Sequence, residues 1–460
     1  MATRARTPRR PRRASRASMG GVAVPSAGDA TPATTRYICV FREGADAAAL
    51  SALGKQAGLK RVCAAADFES GAIDIAQADA ADVTYFEEIG AAVISAPDGA
   101  AAVSALGAEA AGPILAMEPE QVMYAIAALP PDEGEGSASY LRGYRDAVDH
   151  LSGRLLGGAA AEALPGAVEP MAAFADDAQS TWGLQATRVL ASRWTGRGIR
   201  VAVLDTGLDL GHPDFAGRRI THRSFIANEP TQDRHGHGTH CTGAALGPRS
   251  VHNGVRAHGC ASSGEIYIGK VLSNGGSGAD QGILAGINWA VAAKCHVISM
   301  SLGASVAPGE PPSRVYETVA QRALAAGTLI VAAAGNESQR PGRVAPVGRP
   351  ANCRSILAVA AVDSRLGIAR FSCGGINPNG GGVDIAGPGV DVFSSVPRPR
   401  MHTRMDGTSM ATPHVAGIAA LYAESDKSLR ARALWQALVS NARRLPLPVR
   451  DVGSGLVLAP

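Results

Sequence analysis

At 460 residues, 46% hydrophobic and 18% charged, the chain is long enough for two or more buried cores and reads as soluble and globular. No apolar run approaches the roughly 18 residues of a membrane-spanning helix, so no span is expected. The net charge of +4 misleads: seven of the 44 basic residues are Arg within residues 1–16, leaving 37 basic against 40 acidic residues beyond them, or −3. Residues 1–35, rich in Arg, Pro, Ser and Ala, read as a disordered basic tail. A solvated arm is the plain reading, and a nucleic-acid or membrane-surface tether the sharper one. The Arg pairs are not followed by an apolar stretch, so no signal peptide is assigned. Seven cysteines without a CxxC spacing argue against a disulfide framework or a zinc ribbon, although one Cys353–Cys373 bridge stays open.

From RYICVFREG the pattern becomes regular. A strand there is followed by a helix over ADAAALSALGKQAG, ended by Gly58, and a strand over KRVCAAADF. GAAVISA reads as a strand, DGAAAVSALGAEA as a helix and PILAMEPEQVMYA as an extended close. Residues 36–125 therefore form a small α+β unit. PPDEGEGSAS is a linker by composition. Tyr140, Leu141, Tyr144, Val148, Leu151 and Leu155 then step by three and four, the spacing of an amphipathic docking helix. Residues 126–178 as a whole are assigned to this linker and helix. Further on, the strand GIRVAVLD, the helix QGILAGINWAVAAK, the strand HVISMSLG, the helix RVYETVAQRALAAG and the strand TLIVAAAG alternate. Such alternation predicts an α/β domain, a parallel central sheet with helices on both faces.

Ligands of such sheets bind beyond the carboxyl ends of the strands. Asp205, in VAVLDTG, and Asn336, in VAAAGNES, are expected at such ends. A serine hydroxyl becomes a nucleophile only when a base takes its proton, and the base needs a third group to orient it. Asp205, His237, Ser409 and Asn336 can fill the roles of orienting acid, base, nucleophile and oxyanion donor. Pro413 falls near the expected start of the Ser409 helix, where a missing N–H is tolerated. The segments VAVLDTGLDLGHPDF, HGHGTHCTG, SMSLG, VAAAGNES and GTSMATPHVAG resemble, in order, those of the subtilisin-like serine proteases, closest to the proteinase K-like branch. The resemblance covers residues 179–460. It implies a serine endopeptidase acting on extended polypeptides through an acyl-enzyme, with the Asn336 amide and the Ser409 N–H as oxyanion donors. It also implies that Ser301, Leu302 and Gly303, with Ala334 and Gly335, line the pocket for the residue before the scissile bond. Gly276, Ser277 and Gly278 would pair with substrate as an added strand. Ala304 would narrow the pocket, and Glu337 would favour basic residues in it.

By the same resemblance, residues 36–125 form a ferredoxin-like propeptide that inhibits the protease within one self-processing chain, with the mature start near Gln179. Monomeric action is expected, and no nucleic-acid partner for the folded body. Secretion is what the family implies, against a cytoplasmic or non-classically exported protein from the missing signal. No cofactor is needed for the chemistry. Structural calcium, common in the family, would use Asp214 or Asp384. Cys241, one helical turn after His237, is expected beside it, where a mercurial would crowd the base. Two rivals stand. His235, His237 and His240 could be the ligands of a metal-dependent hydrolase, although HGHGTH lacks the Glu of an HExxH site. A nucleic-acid-binding protein would rest on the tail alone. On the protease reading, His240 is a structural residue of the His237 helix and His235 rims the cleft.

Overall fold

The computed structural model describes residues 36–95, 112–126 and 173–460. The predicted tail, the helix over DGAAAVSALGAEA, the linker and the amphipathic helix lie outside them. The first strands are β1 (Arg36–Phe41), β2 (Val62–Ala64), β3 (Val83–Phe86), β4 (Ala91–Ser95), β5 (Ile114–Pro119) and β6 (Val122–Ala125). The first five form one sheet in the order β2-β3-β4-β1-β5, antiparallel except for the β2–β3 pair. Alternation along β1 sends Ile38 and Val40 to one face and Cys39 and Phe41 to the other. The second face closes over the helix Asp46–Gln56, through Ala49 and Leu53.

Next come β7 (Arg200–Asp205), β8 (Ile220–Ser224), β9 (Glu265–Lys270), β10 (Ser277–Ala279), β11 (Val297–Met300), β12 (Leu302–Gly303), β13 (Leu329–Ala333), β14 (Leu357–Val362) and β15 (Ile385–Pro388). Seven of them make an all-parallel sheet, β15-β14-β13-β11-β7-β9-β8. Both its faces are buried. Ala202 and Leu204 of β7 join one apolar cluster, Val201 and Val203 the other. The helix Thr408–Ser425 runs through the second cluster, buried from Thr408 to Ala423. No helix among the described residues is long and apolar enough to cross a membrane.

The first sheet lies against two helices of the large domain, Asp280–Ala292 and Arg314–Ala325. Ile38, Val40, Phe86 and Val93 share a core with Leu284, Ile287, Val315 and Val319. Glu118, near the end of β5, and Glu120, in the turn to β6, sit at the amino ends of those helices. Glu118 accepts from the Arg314 N–H (2.7 Å), the Val315 N–H (3.3 Å) and the Ser313 hydroxyl (2.6 Å). Glu120 accepts from the Gln281 N–H (3.1 Å). A carboxylate is favoured there because the first helical N–H groups lack partners and carry partial positive charge. Truncating Glu118 to Ala forfeits three charge-assisted bonds. At about 2 kcal/mol it should weaken the packing of residues 36–126 against these helices roughly 30-fold. The check is thermal unfolding of the full chain, and an unchanged Tm would refute the capping role.

Candidate active site

Asp205 ends β7 and His237 opens the helix His237–Leu246. His237 Nδ1–H donates to Asp205 Oδ1 at 2.7 Å, and both side chains are buried. The Thr206 N–H also donates to Oδ1 (2.7 Å). Burial by itself pulls the imidazole pKa down, but the adjoining Asp205 carboxylate outweighs it, and the net direction is well up. His237 Nε2 is buried without a hydrogen-bond partner among the described residues. It is the ring atom a base would use.

Sequence reasoning missed what holds that helix. The Asp233 carboxylate accepts from the N–H groups of His235 (2.9 Å), Gly236 (2.9 Å) and Thr239 (3.0 Å), and from the hydroxyls of Thr239 (2.7 Å) and Thr206 (3.0 Å). The Thr206 hydroxyl in turn accepts from the Gly238 N–H at 2.8 Å. One carboxylate thus ties the end of β7 to the start of the His237 helix, satisfying donors that would otherwise be orphaned. Gly238 fits there because a Cβ would stand 2.3 Å from the Gly207 carbonyl oxygen. The Asp three residues before Gly236 was the available signal, but it reads like any turn-forming Asp.

Ser409 is the second residue of its helix, and its hydroxyl does not reach toward His237. It donates to the carbonyl oxygen of Ile126 at 2.5 Å, with Ser301 O as a second acceptor at 3.1 Å. Asn336 Nδ2 donates to the same Ile126 oxygen at 2.9 Å. The Asn336 amide is fixed by Thr408, whose N–H (3.0 Å) and hydroxyl (2.9 Å) both donate to Oδ1, turning Nδ2 toward the carbonyl. Thr408 is therefore a positioning residue that the sequence did not reveal. The contact expected from the Ser409 N–H is not among the described hydrogen bonds of that oxygen. Gly407, at φ +156°, leaves room: a Cβ would lie 2.9 Å from the Ile126 oxygen.

The segment that delivers Ile126 is β6, which inserts between β10 and β12 as the middle strand of an antiparallel sheet. Tyr124 faces Ser277 and Gly303, Met123 faces Gly278, and Ala125 faces Leu302. The Ala125 N–H donates to Gly276 O (2.8 Å) and the Ile126 N–H to Ser301 O (3.3 Å). The residues expected to bind substrate backbone thus bind the chain's own. A Cβ at Gly303 would stand 2.5 Å from the Arg349 carbonyl oxygen and 2.9 Å from Ile126 Cδ1, so the glycine leaves room for both. Ala304 exchanges backbone bonds with Arg349 (2.9 Å each way). Glu337 accepts from the Cys373 thiol (3.1 Å). Cys353 and Cys373 are both free thiols, so the open bridge is not made.

Two further expectations are corrected. Pro413 lies in the second turn of its helix, not near the start, and its missing N–H leaves the Ser409 carbonyl without its helical partner. That carbonyl accepts instead from the Ser301 hydroxyl (2.8 Å) and the Cys241 thiol (3.5 Å). Cys241 Sγ also lies 3.9 Å from His237 Nδ1, as its spacing suggests. The rival metal cluster does not assemble. His240 Nε2–H donates to Val392 O (3.0 Å), and burial pushes the His240 pKa down to about 3. His235 stands at the cleft, where a Cβ at Gly276 would lie 2.9 Å from its Nε2.

Calcium does not fit the Asp214 position. It needs six to eight oxygen ligands. Around Asp214 stand imidazole nitrogens: His402 Nε2 at 2.8 Å, His258 Nε2 at 3.3 Å and His212 Nδ1 at 3.6 Å from Oδ2. Asp384 accepts the Ala358 N–H (2.8 Å), and burial pushes its carboxyl up to about 7. No ion-holding group of His, Cys, Asp and Glu among the described residues includes it.

Replacing Asp233 with Ala should cost about 3 kcal/mol, because buried N–H groups lose a charged acceptor. Thermal unfolding of the variant checks this, and a cost under about 0.5 kcal/mol, the scale of a neutral surface change, would contradict it.

The chain matches the Subtilase family over residues 196–455. It is 39% identical to the subtilisin of Bacillus pumilus over 240 residues, which are 52% of this chain and 81% of that protein. Subtilisin E of Bacillus subtilis (strain 168) is 39% identical over 240 residues, and the match spans 58% of its length. Subtilisin Savinase of Lederbergia lenta is 38% identical over 282 residues, 60% of this chain and 96% of the relative. These three bear the name subtilisin. This chain belongs to the subtilase family of serine endopeptidases.

Proposed function

We propose that the chain cleaves extended polypeptides through an acyl-enzyme at Ser409, and that its first substrate is its own Ile126–Ala127 bond. The observation that carries this is the Ile126 carbonyl, held by Asn336 Nδ2 and the Ser409 hydroxyl at the end of a strand paired on both sides. The Ser409 hydroxyl first turns its proton from the Ile126 oxygen to His237 Nε2, and Oγ then attacks the Ile126 carbonyl carbon as that proton passes to Nε2. Asp205 keeps Nδ1 protonated and stabilises the imidazolium. Asn336 takes the developing oxyanion. His237 then gives its proton to the Ala127 nitrogen as the bond breaks, and water hydrolyses the Ile126 ester by the reverse proton path. One chain supplies every group, so the reaction needs neither a cofactor nor a second copy.

This reading puts the propeptide at residues 36–126 and keeps residues 127–172 on the protease side of the first cut. The junction moves from near Gln179, where a mature start was expected. After cleavage the segment stays as an inhibitor, since its glutamates, strand pairing and apolar face do not depend on the bond. The bound strand also supports a preference. Ile126 and Met123 are buried while Val122 and Tyr124 are exposed, so apolar residues belong directly before the scissile bond and three residues earlier. Calcium has no part in the proposal.

Intact masses of wild type and Ser409→Ala test the self-cleavage. Wild type should release a fragment ending at Ile126 and Ser409→Ala should remain whole. A first cut near Gln179, or equal processing of the purified variant, would overturn it. Replacing Asn336 with Leu should lower kcat about 10²–10³-fold with KM little changed, the magnitude that loss of the equivalent donor has in subtilisin itself. Only neutral His237 accepts a proton, and its pKa lies above the ordinary 6.5. The acid limb of kcat/KM in processed enzyme should therefore fall with a midpoint above pH 6.5, and one below it would contradict the Asp205–His237 coupling.

A further inference from the structure

Four ligating side chains converge away from the cleft. His212 and Asp214 lie in the turn after β7, and His258 lies between the His237 helix and β9. His402 opens a strand, β17 (His402–Met405), that pairs with β16 (Val392–Ser395) and leads into the Ser409 helix. His212, His258 and Asp214 are buried, and His402 is nearly so. The ligand atoms of His212, Asp214 and His402 all lie within 4.8 Å of one another, and His258 Nε2 approaches the same carboxylate from outside that group. The distances from Asp214 Oδ2, 2.8, 3.3 and 3.6 Å, straddle the roughly 3.3–3.4 Å that separates ligands about 2.0–2.1 Å from a tetrahedral zinc-type ion.

The outer ring atoms fix which nitrogens turn toward Asp214. His212 Nε2–H donates to Met401 O (2.8 Å), and His258 Nδ1–H donates to Arg256 O (3.1 Å). A carbonyl can only accept, so both protons are placed. In the neutral rings, His212 Nδ1 and His258 Nε2 then carry lone pairs on the Asp214 side; His212 Nδ1 accepts from the Asp214 N–H (3.2 Å) and His258 Nε2 lies 3.1 Å from the Ser395 hydroxyl. A histidine whose second nitrogen is tied to a carbonyl is also the usual arrangement of a metal ligand. The Ser395 hydroxyl donates to Asp214 Oδ2 (2.6 Å), as ligating carboxylates are commonly supported.

We propose that His212, His258, His402 and Asp214 bind one divalent transition-metal ion of the zinc class. Three imidazoles and one carboxylate suit such an ion and not calcium. The ion would tie together three stretches of chain, those that follow Asp205, follow the His237 helix and precede Ser409. It touches none of the reacting groups, so it acts on stability and not on the chemical step.

The test uses the full chain, stripped with a chelator and titrated with cobalt(II), whose visible bands report four-coordination. Expected are saturation at a single cobalt per chain, no sulfur-to-metal band, displacement by zinc, and a Tm raised about 5–10 °C at a zinc level 100-fold over Kd. Calcium at the same concentration should not reproduce the rise. His258→Gln and His402→Gln should each abolish the cobalt spectrum, and Cys241→Ala should leave it unchanged. The last variant separates this site from the buried Asp205–His237–Cys241 group, whose ligand atoms also lie within 4.8 Å of one another. No stoichiometric binding, binding that survives both histidine variants, or binding lost in Cys241→Ala overturns the proposal. Should a histidine variant fail to fold, Cys241→Ala decides: an unchanged sulfur-free spectrum supports the site.

Discussion

One buried hydrogen bond, 2.7 Å from His237 Nδ1 to Asp205 Oδ1, sets the constraint to which the rest of the site answers. It links the end of a strand to the first residue of a helix, so both backbones must be fixed before it can form. The sheet fixes one by burying β7 on both faces. Asp233 fixes the other by collecting the free N–H groups that open the helix. A carboxylate that orients an imidazole also raises its pKa, so the geometry and the proton affinity of the base have a single cause.

The second half of the site obeys a different constraint, since its occupant is part of the chain. β6 completes a sheet whose outer strands come from the protease, and Ile126 reaches the oxyanion position. The Ser409 hydroxyl then bonds the carbonyl and leaves His237 Nε2 without a partner. Latency on this account is occupancy: the working groups are in place and the cleft is full. The glutamates at the two helix ends and the shared apolar core supply an affinity that does not rest on the scissile residue alone.

Much of this is legible in the sequence, for local reasons. The strand ending in Asp205 is a continuous apolar run, and DGTSMATPHVAG places a serine just after a glycine that only an open helix start accommodates. Those features lie within a dozen residues. What stays hidden depends on pairing across long separations. β6 and β10 are about 155 residues apart, and nothing in VMYA states that it binds SGA. The imidazoles around Asp214 come from positions 212, 258 and 402, so an acid that resembles an oxygen-cage ligand stands among nitrogens. Pro413 reads as tolerable for being near a helix start, whereas Ser301 and Cys241 compensate for it from other elements. Local likeness points to a mature start near Gln179, while the cleft holds a carbonyl 53 residues earlier in the chain.

The central claim is that Ser409 is poised but occupied by its own chain. Its most direct test is the rate at which a phosphonylating serine reagent labels the chain before and after processing, with the labelled residue identified by peptide mapping. The account predicts rapid labelling at Ser409 in the processed enzyme and strongly suppressed labelling in the precursor. Equal rates in the two forms, or a label on another residue, would contradict it.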